Sequence, residues 1–278
     1  MAWARILALL DGADSDASVT ATSLAIGKAF DATVDGLIVR PDPREAVRLA
    51  IDGMSPAMIE GVIDATRDES QRRIARAREC FETACAEAGE TVAAAWHEKV
   101  GLSADEVANH GRLSDLVVVG HPSRRGSDDT DIAVESVLFE TSRPLLLAAE
   151  GALDLAALKI VFAWNGGRES AFAAGAAMPL LKRAASVTVL EVNGEGLRGP
   201  TGKELSVYLR LHDVAATAVV ENDTSRPVPD TILAYAKEHG ANLLVMGAYG
   251  HSRLRELVLG GVTRKILSDA EIAVLMAH

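Results

Sequence analysis

The chain has 278 residues, 49% of them hydrophobic but only 4% aromatic, with a formal net charge of −11. A length above the roughly 100–150 residues of an ordinary domain points to two domains in one chain. The acidic balance, with no long basic run, excludes nonspecific nucleic-acid binding, and no apolar run reaches the roughly 18 residues of a membrane span.

In chain order, the first ten residues lack the basic start and long apolar stretch of a secretory signal and run directly into a strand-like pattern. Short runs rich in Val, Ile and Leu, bounded by Gly, Asp, Asn or Pro, predict strands at Arg5–Leu10, 33–39, Leu116–Gly120 and Leu145–Ala148. The same series recurs at Lys159–Ala163, Ser186–Val192, 242–247 and Ala273–Ala277, with a weaker strand expected in each half at 91–97 and 214–221. Between them, apolar residues at helical spacing predict helices over 17–30, 169–183, 229–239 and 253–269. Alternating strand and helix in each half specify an α/β chain of two tandem doubly wound domains, each a five-stranded parallel sheet flanked by helices. The expected units are residues 1–150 and 156–278, joined through 150–157. The only cysteines, Cys80 and Cys85, have neither zinc nor redox spacing, which suits a reducing cytoplasm.

The two halves differ in length before the fourth strand. The run ending at Gly120 pairs with the run ending at Gly247, whereas Asp11 pairs with Asn165, so the first half carries 27 extra residues. These lie within 43–88, whose Arg- and Glu-rich part at 64–88 reads as a long amphipathic helix; the second half has a short helix near 202–211 in its place.

Open α/β sheets bind ligands beyond the carboxyl ends of their strands, which directs attention to the segments after the first and fourth strand of each half. In the second half the fourth strand leads into Gly247-Ala248-Tyr249-Gly250-His251-Ser252-Arg253, and later Gly260-Gly261-Val262-Thr263-Arg264. Gly247 and Gly250 suit a tight turn with positive φ and close backbone approach, and a helix starting near Val262 presents unpaired N–H groups to an anion. Thr263 offers a hydroxyl and Arg253 a cation to phosphate oxygens. His251 reads equally as a phosphate contact or as an exposed loop residue.

The strand followed by Gly-x2-Gly-x9-Gly, Val-Thr-Arg and a last apolar strand resembles the universal stress protein family. The resemblance implies a strand order 3-2-1-4-5 in each half and an adenine nucleotide, such as ATP, across the ends of strands one and four. It implies that Gly247, Gly250 and Gly260 shape the phosphate loop; with Ala163, Asn165, Val192, His251, Arg253, Gly261, Val262 and Thr263 they make up the candidate ligand-binding set. It also implies that the last strands of the two halves pair within the chain, and it leaves room for a homodimer.

Two departures bear on that site. Gly261 stands where nucleotide-binding members carry Ser or Thr, and Asn165 stands where they carry an acidic residue; an Asn can accept a hydrogen bond from an exocyclic amine and also donate one. The first half keeps Asp11-Gly12 but has Ile132-Ala133-Val134-Glu135 against Gly260-Gly261-Val262-Thr263, with Glu135 expected to repel phosphate. It therefore reads as a degenerate unit, structural or holding an apolar ligand. The run 127–131 reads as a solvated acidic loop, lacking the spacing of a calcium loop.

Residues 165–170, Asn-Gly-Gly-Arg-Glu-Ser, only loosely echo the loop of ATP pyrophosphatases, and no metal or catalytic triad spacing is present. The expected function is a stress-response sensor or regulator acting through protein contacts, without enzymatic turnover beyond slow ATP hydrolysis. A ligand-free scaffold and an adenylating enzyme are the alternatives.

Overall fold

The structure, a computed structural model, describes residues 3–40, 55–121, 128–192, 199–222, 225–250 and 261–278. The first half runs β1 (Arg5–Leu10), α1 (Asp16–Phe30), β2 (Thr33–Arg40), α2 (Pro56–Ala88), β3 (Ala94–Val100), α3 (Ser103–Gly111), β4 (Leu116–Gly120), α4 (Asp128–Glu140) and β5 (Leu145–Ala148). The second runs β6 (Lys159–Ala163), α5 (Arg168–Ala176), α6 (Met178–Leu181), β7 (Ser186–Val192), α7 (Gly202–Arg210), β8 (Ala216–Glu221), α8 (Val228–Glu238), β9 (Leu243–Gly247), α9 (Gly261–Asp269) and β10 (Ala273–Ala277).

Among the described residues ten strands join one sheet in the order β3-β2-β1-β4-β5-β10-β9-β6-β7-β8, so each half has the order 3-2-1-4-5. Neighbours are parallel except at the centre, where β5 and β10 pair antiparallel. There Leu146 faces Leu275, Leu147 faces Val274 and Leu145 faces Met276, a self-complementary register like that of a twofold dimer interface. The last strands thus close on each other and leave β3 and β8 as the sheet edges.

The central strands read as continuous apolar runs because both faces are covered. On one face Val19 and Leu24 of α1, Ala77 and Phe81 of α2, Ala173 of α5 and Leu205 of α7 pack into one core. On the other, Val107 of α3, Val137 of α4, Ile232 of α8 and Ile266 of α9 pack into a second. Fully buried leucines such as Leu145, Leu146 and Leu147 each contribute roughly 1.5–3 kcal/mol relative to exposure.

Three elements differ from the sequence reading. The helix expected over 169–183 is two, because Pro179 lacks the N–H that would bond the Gly175 carbonyl and its ring crowds that group. Helix α2 begins at Pro56, eight residues before 64, with Ser55 as N-cap accepting from the Met58 N–H and Pro at its first position. Strand β3 starts at Ala94, after a 3-10 turn at Gly89–Thr91. Ion pairs along α2, such as Arg72 with Glu69 and Arg78 with Glu82, are exposed and add little. Its anchor is Phe81, which lies so close over Gly36 that a Cβ there would stand 2.9 Å from the ring.

Candidate functional site

Beyond the carboxyl ends of β6 and β9, where the strand order of the second half reverses, lies a cleft of about 310 Å³. Its lining brings together Ala163, Asn165, Val192, Gly247, Gly250, Gly261, Val262 and Thr263 from the sequence reading. His251, Arg253 and Gly260 lie outside the described residues. The cleft also takes residues that periodicity alone did not mark: Trp164, Leu190, Met246 and Tyr249 at strand ends, and Val228 and Ile232, four apart on α8. The 3.6-residue period placed Val228 and Ile232 on one helix face, but not which strand ends that face meets.

Asn165 sits at the turn from β6 into α5. Its Oδ1 accepts from the Gly167 N–H at 2.9 Å and from the Ser170 hydroxyl at 2.7 Å. The carbonyl end is thereby committed to holding the turn, and the amide nitrogen is the end turned toward the glycine loop, 4.0 Å from where a Cβ on Gly250 would stand. Asn165 therefore meets the cleft mainly as a donor. Over the same turn, Trp164 Nε1 donates to the Pro200 carbonyl at 2.7 Å, and the Gly202 N–H donates to the buried Glu191 carboxylate, which fixes the start of α7.

The glycines after β9 serve close approach, not the positive φ expected of them. Neither Gly247 nor Gly250 is left-handed; among the described residues of this loop the left-handed one is Tyr249, with φ 53°. At Gly247 a Cβ would stand 2.4 Å from the Ser170 backbone nitrogen, so glycine is required for α5 to pack on the end of β9. At Gly250 a Cβ would stand 3.2 Å from Glu169 Oε2. Glu169 is buried at the start of α5 and paired with Arg168, whose guanidinium reaches its Oε1 at 3.1 Å. Thus a carboxylate backs the glycine loop.

The first described turn of helix α9, from Gly261 to Thr263, lines the cleft on the side where the positive end of the helix dipole favours an anion. A Cβ on Gly261 would meet nothing within 4 Å, so this position approaches no neighbour closely. Thr263 is buried and its Oγ1 accepts from the Tyr249 N–H at 3.3 Å, tying the helix to the loop.

The first half repeats this geometry on a smaller scale. Strand pairing sets Val117 beside Leu145 and Leu244 beside Val274, so Leu145 corresponds to Val274 and Val134, not Glu135, stands in the place of Thr263. Glu135 is exposed and does not line the pocket, which corrects the expected phosphate repulsion. Residues 122–127, including the start of the acidic loop, lie outside the described residues; 128–131 belong to α4. Asp16 takes the place of Ser170: its Oδ1 and Oδ2 accept from the Asp11 and Gly12 N–H groups. Burial pushes its carboxyl up to about 6, against the pull of those two N–H groups.

Among the described residues no group of His, Cys, Asp or Glu is placed to hold a metal ion, and no helix is long and apolar enough to cross a membrane.

The family described as universal stress protein family matches residues 157–278. A stretch of 46 residues is 44% identical to Universal stress protein Slr1230 of Synechocystis, an overlap spanning 16% of this chain and 16% of that protein. Among solved structures, a universal stress protein from Archaeoglobus fulgidus superposes with a TM-score of 0.71 at 15% identity, covering 98% of this chain and 95% of that one. A functionally unknown protein from Pseudomonas aeruginosa superposes with a TM-score of 0.59 at 13% identity, covering 99% and 92%. Residues 157–278 thus match the universal stress protein family, and the chain as a whole shows the α/β fold of these structures as two tandem halves of the same strand order.

Proposed function

We propose that the second half binds an adenine nucleotide in the cleft between β6, β9 and α9, and that the chain acts as a sensor or regulator through protein contacts. The observation that carries this reading is the joining of an apolar slot with an anion-favouring end. Leu190, Val192, Ile232 and Met246 line the slot, while Gly250, Thr263 and the N-terminal turn of α9 form its polar rim. A flat base suits the former and a phosphate the latter. The Asn165 amide nitrogen selects an acceptor on the base. The response to a ligand is binding, not turnover, and the free thiols Cys80 and Cys85 suit a cytoplasmic protein.

Titration calorimetry with ATP, ADP, AMP and cyclic AMP tests this reading on the wild type and on Gly250→Val, which drives a branched side chain toward the Glu169 carboxylate. Micromolar binding to the wild type, weakened at least tenfold in the variant, is expected. A well-folded wild type that binds none of the four overturns the reading and favours a ligand-free scaffold. Release of pyrophosphate from ATP favours the adenylating alternative.

A further inference from the structure

We propose that the first half retains a second ligand cleft which the chain closes on itself, with Arg73 of α2 as the plug. The lining of the first pocket matches that of the second position by position: Asp11 takes the place of Asn165, Val107 that of Ile232 and Gly120 that of Gly247. Yet the first pocket holds only about 50 Å³ where the second holds about 310 Å³.

Among the described residues, Arg73 is the long side chain that lines the first pocket and has no equivalent in the lining of the second. Arg73 belongs to the helix inserted in the first half, and it lines the pocket there. Its Nε donates to the Asp11 carbonyl at 2.6 Å. Its backbone and Cβ press on Gly12 so closely that a Cβ at Gly12, already at φ 80°, would stand 2.7 Å from three Arg73 atoms. In the second half the matching turn glycine, Gly166, is covered by the backbone of Gly199 and Pro200, which send no long side chain inward. Space for about one or two waters remains beside Arg73, against room for a nucleoside-sized ligand in the second-half cleft. Helix α2 is therefore an intramolecular occupant, and a chain that can lift it exposes a second site with a carboxylate, Asp11, where the first site has an amide.

Thiol accessibility tests the plug without any ligand. In a Cys80→Ala, Cys85→Ala background, Ser103→Cys places a thiol on the pocket lining. Its reaction with N-ethylmaleimide should speed up about tenfold or more when Arg73→Ala is added, because the thiol no longer waits for local opening of α2. Equal rates in two variants that both melt cooperatively would overturn the proposal and reduce Arg73 to a cap on the β1–α1 turn. If Arg73→Ala does not fold, Arg73→Gln, shorter by two bonds and lacking the guanidinium, takes its place with the same expectation. A second arm rests on the nucleotide reading of the second half: AMP stoichiometry should rise from one to two per chain in Arg73→Ala. A wild type that binds no AMP counts against that reading alone, and the labelling rates still decide the plug.

Discussion

Phe139, in the last turn of α4, and Tyr249, in the loop after β9, pack ring to ring across the two halves with centroids 5.1 Å apart. The His278 ring meets the same phenyl edge-on at 4.8 Å, and its Nδ1 lies 2.9 Å from the Ala248 carbonyl oxygen. The loop that walls the second-half cleft is thus braced by the first half. Tyr249 needs bracing, since a non-glycine residue at positive φ costs about 1 kcal/mol or more.

Phe139→Ala is expected to weaken nucleotide binding between about twofold and tenfold, the equivalent of the roughly 0.5–1.5 kcal/mol of an aromatic pair. Calorimetric titration of the variant against the wild type measures it. An unchanged affinity would show that the cleft holds Tyr249 without help from the first half.

Gly247 and Gly261 make opposite predictions from the same substitution. Gly247→Ala forces a Cβ against the Ser170 backbone and should destabilise the chain by about 2–4 kcal/mol. Gly261→Ala meets open space at the start of a helix and should be neutral or stabilising by up to about 1 kcal/mol. Urea unfolding of both variants gives the comparison directly.

Thr263→Val removes the buried oxygen that accepts the Tyr249 N–H, at a cost of about 1–3 kcal/mol, whereas Thr263→Ser keeps it. Thermal melts should therefore rank Ser near the wild type and Val below it, with ligand affinity following the same order. Equal melting of the two variants would show that the loop does not depend on this bond.

Asp16 gives a pH dependence with a definite sign. Its carboxyl rises from 3.8 to about 6 on folding, first through burial and then through the neighbouring Asp11 charge. The folded chain holds that proton more tightly than the unfolded one, so the contribution is full below about pH 4 and is lost as pH rises through 6. At about 1.4 kcal/mol per unit the change is at most about 3 kcal/mol. Asp16→Asn should flatten the fall in stability between pH 4 and 6, read from urea midpoints at several pH values. An identical slope in both proteins would assign that fall to other groups.

Much of the fold was legible along the chain. Apolar runs buried on both faces marked Arg5–Leu10, Leu116–Gly120, Leu145–Ala148 and Lys159–Ala163 with their observed bounds, because a strand covered by helices on both sides has no polar face. The ends of helices were less legible where a single residue decides them, as Pro179 does for α6 and Ser55 for α2. At the site, the glycine spacing pointed to the correct loop and to close approach at Gly247 and Gly250, but also to a positive φ that neither has, and it did not show which neighbour, distant in sequence, excludes a side chain there.

By itself the sequence determined the two-unit organisation and the parallel sheet of each unit, which follow from local periodicity and turn chemistry, while the strand order 3-2-1-4-5 came from the family resemblance. Only the tertiary structure decided which cleft is open. Each cleft is bordered by contacts between residues far apart in the chain: Arg73 against Gly12 in one half, and Phe139 reaching across to Tyr249 in the other. No local pattern encodes such a meeting, because it is set by how whole helices seat on a shared sheet.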